Sequence, residues 1–181
     1  LKTETNFFQK NKNHQMGEKN LKVMKNKKII LICSDGGHLA QILELKDMFL
    51  TYDYLIVTEE SPATLPLKER YNIKYLKGRS KGQKRNLSFI YSLIVNAFLS
   101  LKILIQHFPK AIITTGSHTA IPMCLLGKIS GAKIIWILSY ARINSRAFSA
   151  DVIYPFADKF IVQWPGVQKL YKKAIYLGGI Y

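Results

Sequence analysis

Carboxylates are scarce in this chain. Eleven Asp and Glu stand against 27 Lys and Arg, so the 181 residues carry a formal charge of +16. An imbalance of this size points to an anionic partner: nucleic acid, an acidic membrane surface or a phosphorylated ligand. Cysteine is nearly absent as well. Cys33 and Cys124 are the only two, each inside an apolar run. That excludes a disulfide framework and suits a reducing cytosol. The four histidines show no HxxxH spacing, so no metal centre is expected. Internal repeats are missing, as is low complexity outside a Lys-rich N-terminal stretch. The first residues also lack an apolar core and a small-residue cleavage site, so no signal peptide is expected. What remains is a composition 48% hydrophobic and 21% charged, which excludes a disordered protein and suits one domain with a real core.

Residues 1–27 read as a basic, disordered tail. Residues 1–28 hold eight Lys against two Glu, and Met16 is a candidate start that would make 1–15 non-native. From Lys28 the pattern becomes regular. KIILIC (28–33), DYLIVT (53–58), NIKYL (72–76), AIITT (111–115), AKIIWIL (132–138), DKFIVQ (158–163) and AIYL (174–177) read as strands, mostly apolar enough to be buried on both faces. Helical patterns follow several of them: one opening at His38, one over 87–108, and TAIPMCLLGKIS (119–130), ended by Gly131. Alternating strands and helices predict an α/β fold, a Rossmann-like doubly wound parallel sheet over 28–181.

The stretch NLSFIYSLIVNAFLSLKILIQHF (86–108) is long enough to cross a bilayer, yet strands before and after it must share one sheet. Ser88, Ser92, Asn96 and Ser100 draw a polar stripe along it, and KGRSKGQKR (77–85) lies just upstream. Two readings stand: a buried crossover helix with a solvated basic loop, or an anionic membrane surface met through 77–108.

In a doubly wound sheet, ligands bind beyond the carboxyl ends of the strands. Three loops fall there. Ser34–His38 (SDGGH) offers Gly36 and Gly37, which let backbone N–H groups approach a phosphate at a helix start. His38 either caps that helix or donates to a diphosphate and moves a proton. Thr114–His118 (TTGSH) forms the second loop. The third, Tyr140–Asp151, carries Arg142, whose guanidinium either grips a diphosphate or carboxylate bidentately or pairs with Asp151 or Asp158.

Together SDGGHLAQILEL, TTGSHTAIP and the run Ser139–Tyr181, above all Tyr154–Trp164, resemble the acceptor-side, membrane-associated subunit of two-component UDP-sugar glycosyltransferases. Bacterial members of the PssD, CpsF and EpsE type serve exopolysaccharide and capsule assembly. A eukaryotic member helps add the second N-acetylglucosamine to a dolichyl-diphosphate carrier. The resemblance implies the N-terminal half of a GT-B fold, with the UDP-sugar donor held mainly by a separate partner subunit and no cofactor bound by this chain. It implies a lipid-diphosphate-linked saccharide acceptor at Ser34, Gly36, Gly37, His38, Thr115, Gly116, Ser117, Ser139, Arg142 and Asn144, with His38 or His118 as the catalytic base. Gln163, Trp164, Gly179, Ile180 and Tyr181 would meet the partner. The implied location is the cytoplasmic face of the membrane, peripheral or monotopic. Stopping at residue 181 also suits a single half of such an enzyme. This chain departs from the pattern at Leu138, where the family usually has Glu before the loop serine, and at Asp35, Ala150, Asp151 and Gly166. Losing that Glu removes a carboxylate for polarising an acceptor hydroxyl. It leaves open a non-catalytic enhancer that recruits a transferase to the membrane. Nucleic-acid binding ranks last, since the cations gather in a tail and one loop and no RNA-binding motif appears.

Overall fold

A computed structural model describes residues 27–78 and 87–181, without the side chains of 87–89. The expected tail 1–27, except Lys27, and most of the basic loop, 79–86, lie outside the described residues. Among the described residues seven strands form one parallel sheet: β1 (Lys28–Cys33), β2 (Asp53–Glu59), β3 (Ile73–Leu76), β4 (Ala111–Gly116), β5 (Lys133–Ile137), β6 (Lys159–Val162) and β7 (Ile175–Tyr176). Their order is β3-β2-β1-β4-β5-β6-β7. Progress along the chain runs outward one way from β1 and the other way from β4, so the connections after these two neighbours diverge. That switch point opens a crevice at the carboxyl edge.

The connection from β1 to β2 carries α1 (Gly37–Leu43) and α2 (Lys46–Thr51). Leu39 and Ile42 press on one face of the sheet, against Leu31, Ile56 and Ile113. The opposite face is covered by α3 (Leu87–His107) and α4 (Ala120–Ile129), over Ile30, Leu55, Ile112 and Ile134. Helix α5 (Phe148–Ile153) and α6 (Pro165–Gln168) follow on that side through Ala150, Ile153 and Val167. Alternate residues of the central strands serve the two clusters, which is why those strands read as continuous apolar runs.

Three features depart from the sequence expectation. The first helix is short, broken between Leu43 and Lys46. Residues 148–151, expected in a polar loop, begin α5, because Ala150 and Ile153 find core partners. The loop SPATLP continues into a 3-10 turn, Leu65–Glu69, fastened where Thr64 donates to the Glu59 carbonyl at 2.8 Å.

The polar stripe of α3 faces inward. Ser92, Asn96 and Ser100 are buried. Asn96 accepts from the Lys77 N–H at 2.9 Å and donates to its carbonyl at 3.0 Å, tying α3 to the end of β3. Small side chains there let α3 lie close to its neighbours. The α3 span Ile90–His107 is long and apolar enough to cross a membrane by length and composition. However, β1 pairs with β2 on one side and β4 on the other. The strands flanking α3 thus lie in one sheet, and the helix cannot span.

Candidate acceptor site

A cleft of about 320 Å³ opens at the switch point. Its floor is the end of β4, where Thr115, Gly116, Ser117 and His118 turn away from the sheet. One wall is His38, the second residue of α1. The His38 carbonyl accepts from Thr115 Oγ1 at 2.9 Å, while His38 Nδ1 lies 2.8 Å from the Thr115 carbonyl oxygen. A carbonyl only accepts, so Nδ1 carries the proton and neutral His38 presents a bare Nε2. Burial of the ring and the nearby positive charge of Arg142 hold its pKa below the usual value, against the Thr115 hydrogen bond, which raises it. The ring is therefore a base that stays neutral at physiological pH.

Gly116 has φ +115, and a Cβ there would sit 3.2 Å from His38 Cε1 and 3.4 Å from Trp136 Cζ2. Only glycine satisfies both the conformation and the space. The next residue, Ser117, also has a positive φ, of 89, so the turn is held in a strained shape.

The far wall comes from β5 and the chain after it: Trp136, Leu138, Ser139, Arg142, Ala147, Phe148 and Ser149. Arg142 pairs with neither expected aspartate. Asp151 is engaged by Arg146 at 3.0 Å and by Tyr171 at 2.9 Å. Asp158 takes Lys128 at 2.7 Å, Lys133 at 3.1 Å and the Ile134 N–H at 2.9 Å. Burial works against ionisation of Asp158, but these three donors outweigh it and hold its pKa at about 2. Arg142 keeps one weak contact, 3.4 Å to Ser145 Oγ, and its side chain is exposed at the cleft.

Trp136 was not foreseen. It is buried, it lines the cleft, and its Nε1–H has no acceptor among the described residues. An unmet buried donor costs roughly 1–3 kcal/mol, so a ligand that accepts there is favoured. The available signal was an indole two residues before Leu138, at the end of a strand whose loop was already singled out. Ser149 and Phe148 were missed because the third loop was not expected to close with a helix. None of the twelve lining residues is acidic. Two histidines, one arginine, three serines, a threonine and an indole N–H form a donor-rich cleft suited to an anion.

The expected residues divide. His38, Thr115, Gly116, Ser117, His118, Ser139 and Arg142 are brought together. Ser34, Gly36, Gly37 and Asn144 do not line the cleft. Gly36 and Gly37 are exposed at its rim, with nothing within 4 Å of an added Cβ. Helix α1 has only seven residues, too few for a strong dipole at its start. The GGH turn is open and delivers His38 to the cleft. Leu138 is buried against the cleft, confirming that no carboxylate stands at that point.

Gln163, expected at a partner interface, is 3% exposed and faces inward. It donates to Gln41 Oε1 at 2.8 Å and to the Leu138 carbonyl at 2.9 Å, and accepts from the Ile180 N–H at 2.9 Å. Gln41 in turn accepts from the Tyr140 N–H at 2.9 Å and donates to Ser139 Oγ at 3.3 Å. This buried amide pair joins α1, the third loop and the last residues. Above it Trp164 donates to the Tyr140 carbonyl at 2.7 Å, and the Tyr140 ring meets Tyr181 edge-on. Gly179 and Tyr181 are exposed, whereas Ile180 is half-buried on the sheet. A buried carboxylate, Glu59, ends β2 and accepts from Thr119 Oγ1 at the start of α4. Its sequence signal was an acid closing an apolar strand.

The family described as oligosaccharide biosynthesis protein Alg14 like matches residues 28–180. A curated relative from Candida albicans, UDP-N-acetylglucosamine transferase subunit ALG14, is 30% identical over 86% of this chain and 82% of its own length. The human protein of that name is 25% identical over 84% of this chain and 82% of its own. The Schizosaccharomyces pombe subunit is 37% identical over a shorter stretch, 39% of this chain and 36% of that protein. Among solved structures, Acinetobacter baumannii MurG superposes with a TM-score of 0.63 at 15% identity, covering 78% of this chain. UDP-N-acetylglucosamine 2-epimerase from Rickettsia bellii gives 0.66 at 11% identity over 85%. The chain spans 42% and 45% of those two structures, so it has the fold of one half of each.

Proposed function

Because this chain belongs to the Alg14-like family of oligosaccharide biosynthesis proteins, we propose that it is the acceptor-binding subunit of a two-component UDP-N-acetylglucosamine transferase. The observation that carries this reading is the cleft at the switch point: rich in donors, lined by no carboxylate, and bordered by an indole whose N–H has no acceptor among the described residues. A lipid-linked diphosphate saccharide fits that chemistry. Arg142 and the serines grip the diphosphate and Trp136 donates to an acceptor oxygen. His38 Nε2 takes the proton from the attacking sugar hydroxyl. The hydroxyl oxygen bonds to the anomeric carbon from the face opposite UDP, and the bond to UDP breaks with its electron pair leaving on the diphosphate. The donor and departing UDP are held by a separate partner subunit. Gly179 and Tyr181, with Trp164 behind them, are the surface offered to it. The transfer takes place at the cytoplasmic membrane face. The acceptor belongs to exopolysaccharide or capsule assembly, as the resemblance of the His118 loop to its bacterial form implies.

The missing carboxylate at Leu138 favours one second reading, an enhancer that recruits the partner without contributing a base. Reconstitution decides. Transfer from labelled UDP-N-acetylglucosamine to a panel of lipid-diphosphate saccharides is measured with this chain, its partner, and both. The proposal expects transfer only with both, and a fall of about 10²–10⁴ for His38→Ala. Full activity of the partner alone would sink it, and a His38→Ala complex with normal turnover would leave only the enhancer.

A further inference from the structure

Two buried amides stand behind the cleft, and nothing in the proposed chemistry uses them. Gln41 and Gln163 are each 3% exposed. Burying an amide costs free energy unless its hydrogen bonds are replaced, and apolar side chains would fill the space without that demand. Here they are replaced at every polar atom. Gln163 Nε2 donates to Gln41 Oε1 and to the Leu138 carbonyl, which leaves its Oε1 to accept from the Ile180 N–H. Gln41 Oε1 accepts a second time, from the Tyr140 N–H, and its Nε2 donates to the Gly37 carbonyl at 3.1 Å and to Ser139 Oγ. Both amide orientations are therefore fixed. A fully satisfied buried network of this kind rigidifies the parts it joins.

The pair grips three consecutive residues: Leu138 by its carbonyl, Ser139 by its hydroxyl and Tyr140 by its N–H. The Arg142 N–H then closes a turn on the Ser139 carbonyl at 2.9 Å. The Arg142 side chain has one weak contact of its own among the described residues, so this turn sets its aim. Gln41 also lies about one helical turn after His38 on α1, so the same amide gauges the Arg142 turn against the His38 wall. At the other end the bonds reach Gly179–Tyr181. Gly178 has φ +92, and a Cβ on Gly179 would sit 3.3 Å from Tyr140 Cε2. The glycine pair thus lets this segment lie close on the Tyr140 ring, with the Ile180 N–H turned down to Gln163.

We infer that Gln41 and Gln163 are positioning residues of the acceptor site: they hold the Ser139–Arg142 turn opposite His38, and that hold depends on the seating of Gly179–Tyr181. Unseating the segment takes the donor from Gln163 Oε1, frees that amide to turn over, and loosens the turn that carries Arg142. The effect on binding rests on the acceptor reading above, whereas the mechanical link does not.

Two measurements keep these apart. In the proton–nitrogen correlation spectrum of the chain alone, Gly179→Val shifts the side-chain amide of Gln41 and the backbone amide of Arg142, which report from beyond the Tyr140 ring that the valine meets. Leu177→Ala, at a residue 71% exposed just before the glycine pair, leaves both in place. Equilibrium binding of a short-chain prenyl-diphosphoryl N-acetylglucosamine is then compared for the wild-type chain and for Gln163→Met, which keeps the side-chain length and loses its hydrogen bonds. Affinity falls about tenfold, the value of one charge-assisted contact from Arg142. Adding Arg142→Ala to Gln163→Met costs less than about threefold more, against roughly tenfold in the wild type, because Arg142 is already out of place. If Gln163→Met does not fold, Gly179→Val takes its place in this cycle. Unmoved signals in Gly179→Val would overturn the proposal. So would wild-type affinity in the Gln163→Met chain, or losses that add in full, which leave the pair a packing role only. Shifted signals in a chain that binds no prenyl compound would sink the acceptor reading and leave the link standing.

Discussion

His38, Gly116 and Trp136 meet at one point of the cleft, and each makes a separate prediction. The His38 pKa is depressed, so the neutral ring persists as pH falls through 6.5. The acid limb of the transfer rate should lie below pH 6.5 and vanish from the profile of His38→Gln. Stability follows the same sign. A group with a lowered folded pKa contributes stability above its unfolded value and loses it as pH falls. Half-buried His107, depressed by desolvation, adds to the trend, so chemical denaturation should show stability falling as pH drops below 6.5. Gly116→Ala brings a methyl against both aromatic rings at a φ of +115. It should cost about 1–3 kcal/mol in urea denaturation and displace His38. Trp136→Phe removes the unmet donor. Acceptor affinity should drop about 5–15-fold, the value of a hydrogen bond of ~1–1.5 kcal/mol, with the fold retained. Of these three, His38 and Gly116 were legible in their motifs. Trp136 was not, since an indole in a strand reads as core until its neighbours are known.

At the scale of elements, the tightest constraint is α4 on β4. A Cβ on Gly127 would fall 2.1 Å from Ile112 Cδ1, inside a fully buried cluster. Gly127→Ala should therefore destabilise by about 1–3 kcal/mol, measured as a fall in Tm, with the cleft residues unchanged. The central strands were easy to read because burial on both faces makes them continuous apolar runs, and all seven strands appear within a residue or two of their expected ends. Short helices were not. Helix α5 hides in a segment read as loop because only Ala150 and Ile153 of its six residues are buried. The orientation of α3 was equally hidden. Its serine and asparagine stripe was visible in the sequence, but the side it faces depends on Lys77, whose backbone satisfies Asn96 from another strand.

For the whole molecule, a buried amide network and an ion cluster hold the β4–β7 side of the sheet in place. Asp158 fastens α4 to β5 through Lys128 and Lys133, with a carboxyl pKa of about 2. Its contribution is full above the unfolded value of about 4 and fades as pH falls toward 2. Asp158→Asn should lower stability near neutral pH and remove that acid-dependent loss. The doubly wound topology and the carboxyl-edge loops were readable from strand order and glycine placement alone. The division of labour inside the site was not, because Gln41 and Gln163 meet across 122 positions of sequence. The central claim is that this half-fold holds the acceptor. It is tested most directly by equilibrium binding of a short-chain prenyl-diphosphoryl N-acetylglucosamine, and separately of UDP-N-acetylglucosamine, to this chain without its partner. The account predicts saturable binding of the prenyl compound, weakened at least tenfold by Arg142→Ala, and no comparable binding of the sugar nucleotide. Tight binding of the sugar nucleotide with none of the prenyl compound would make this the donor half and contradict the account.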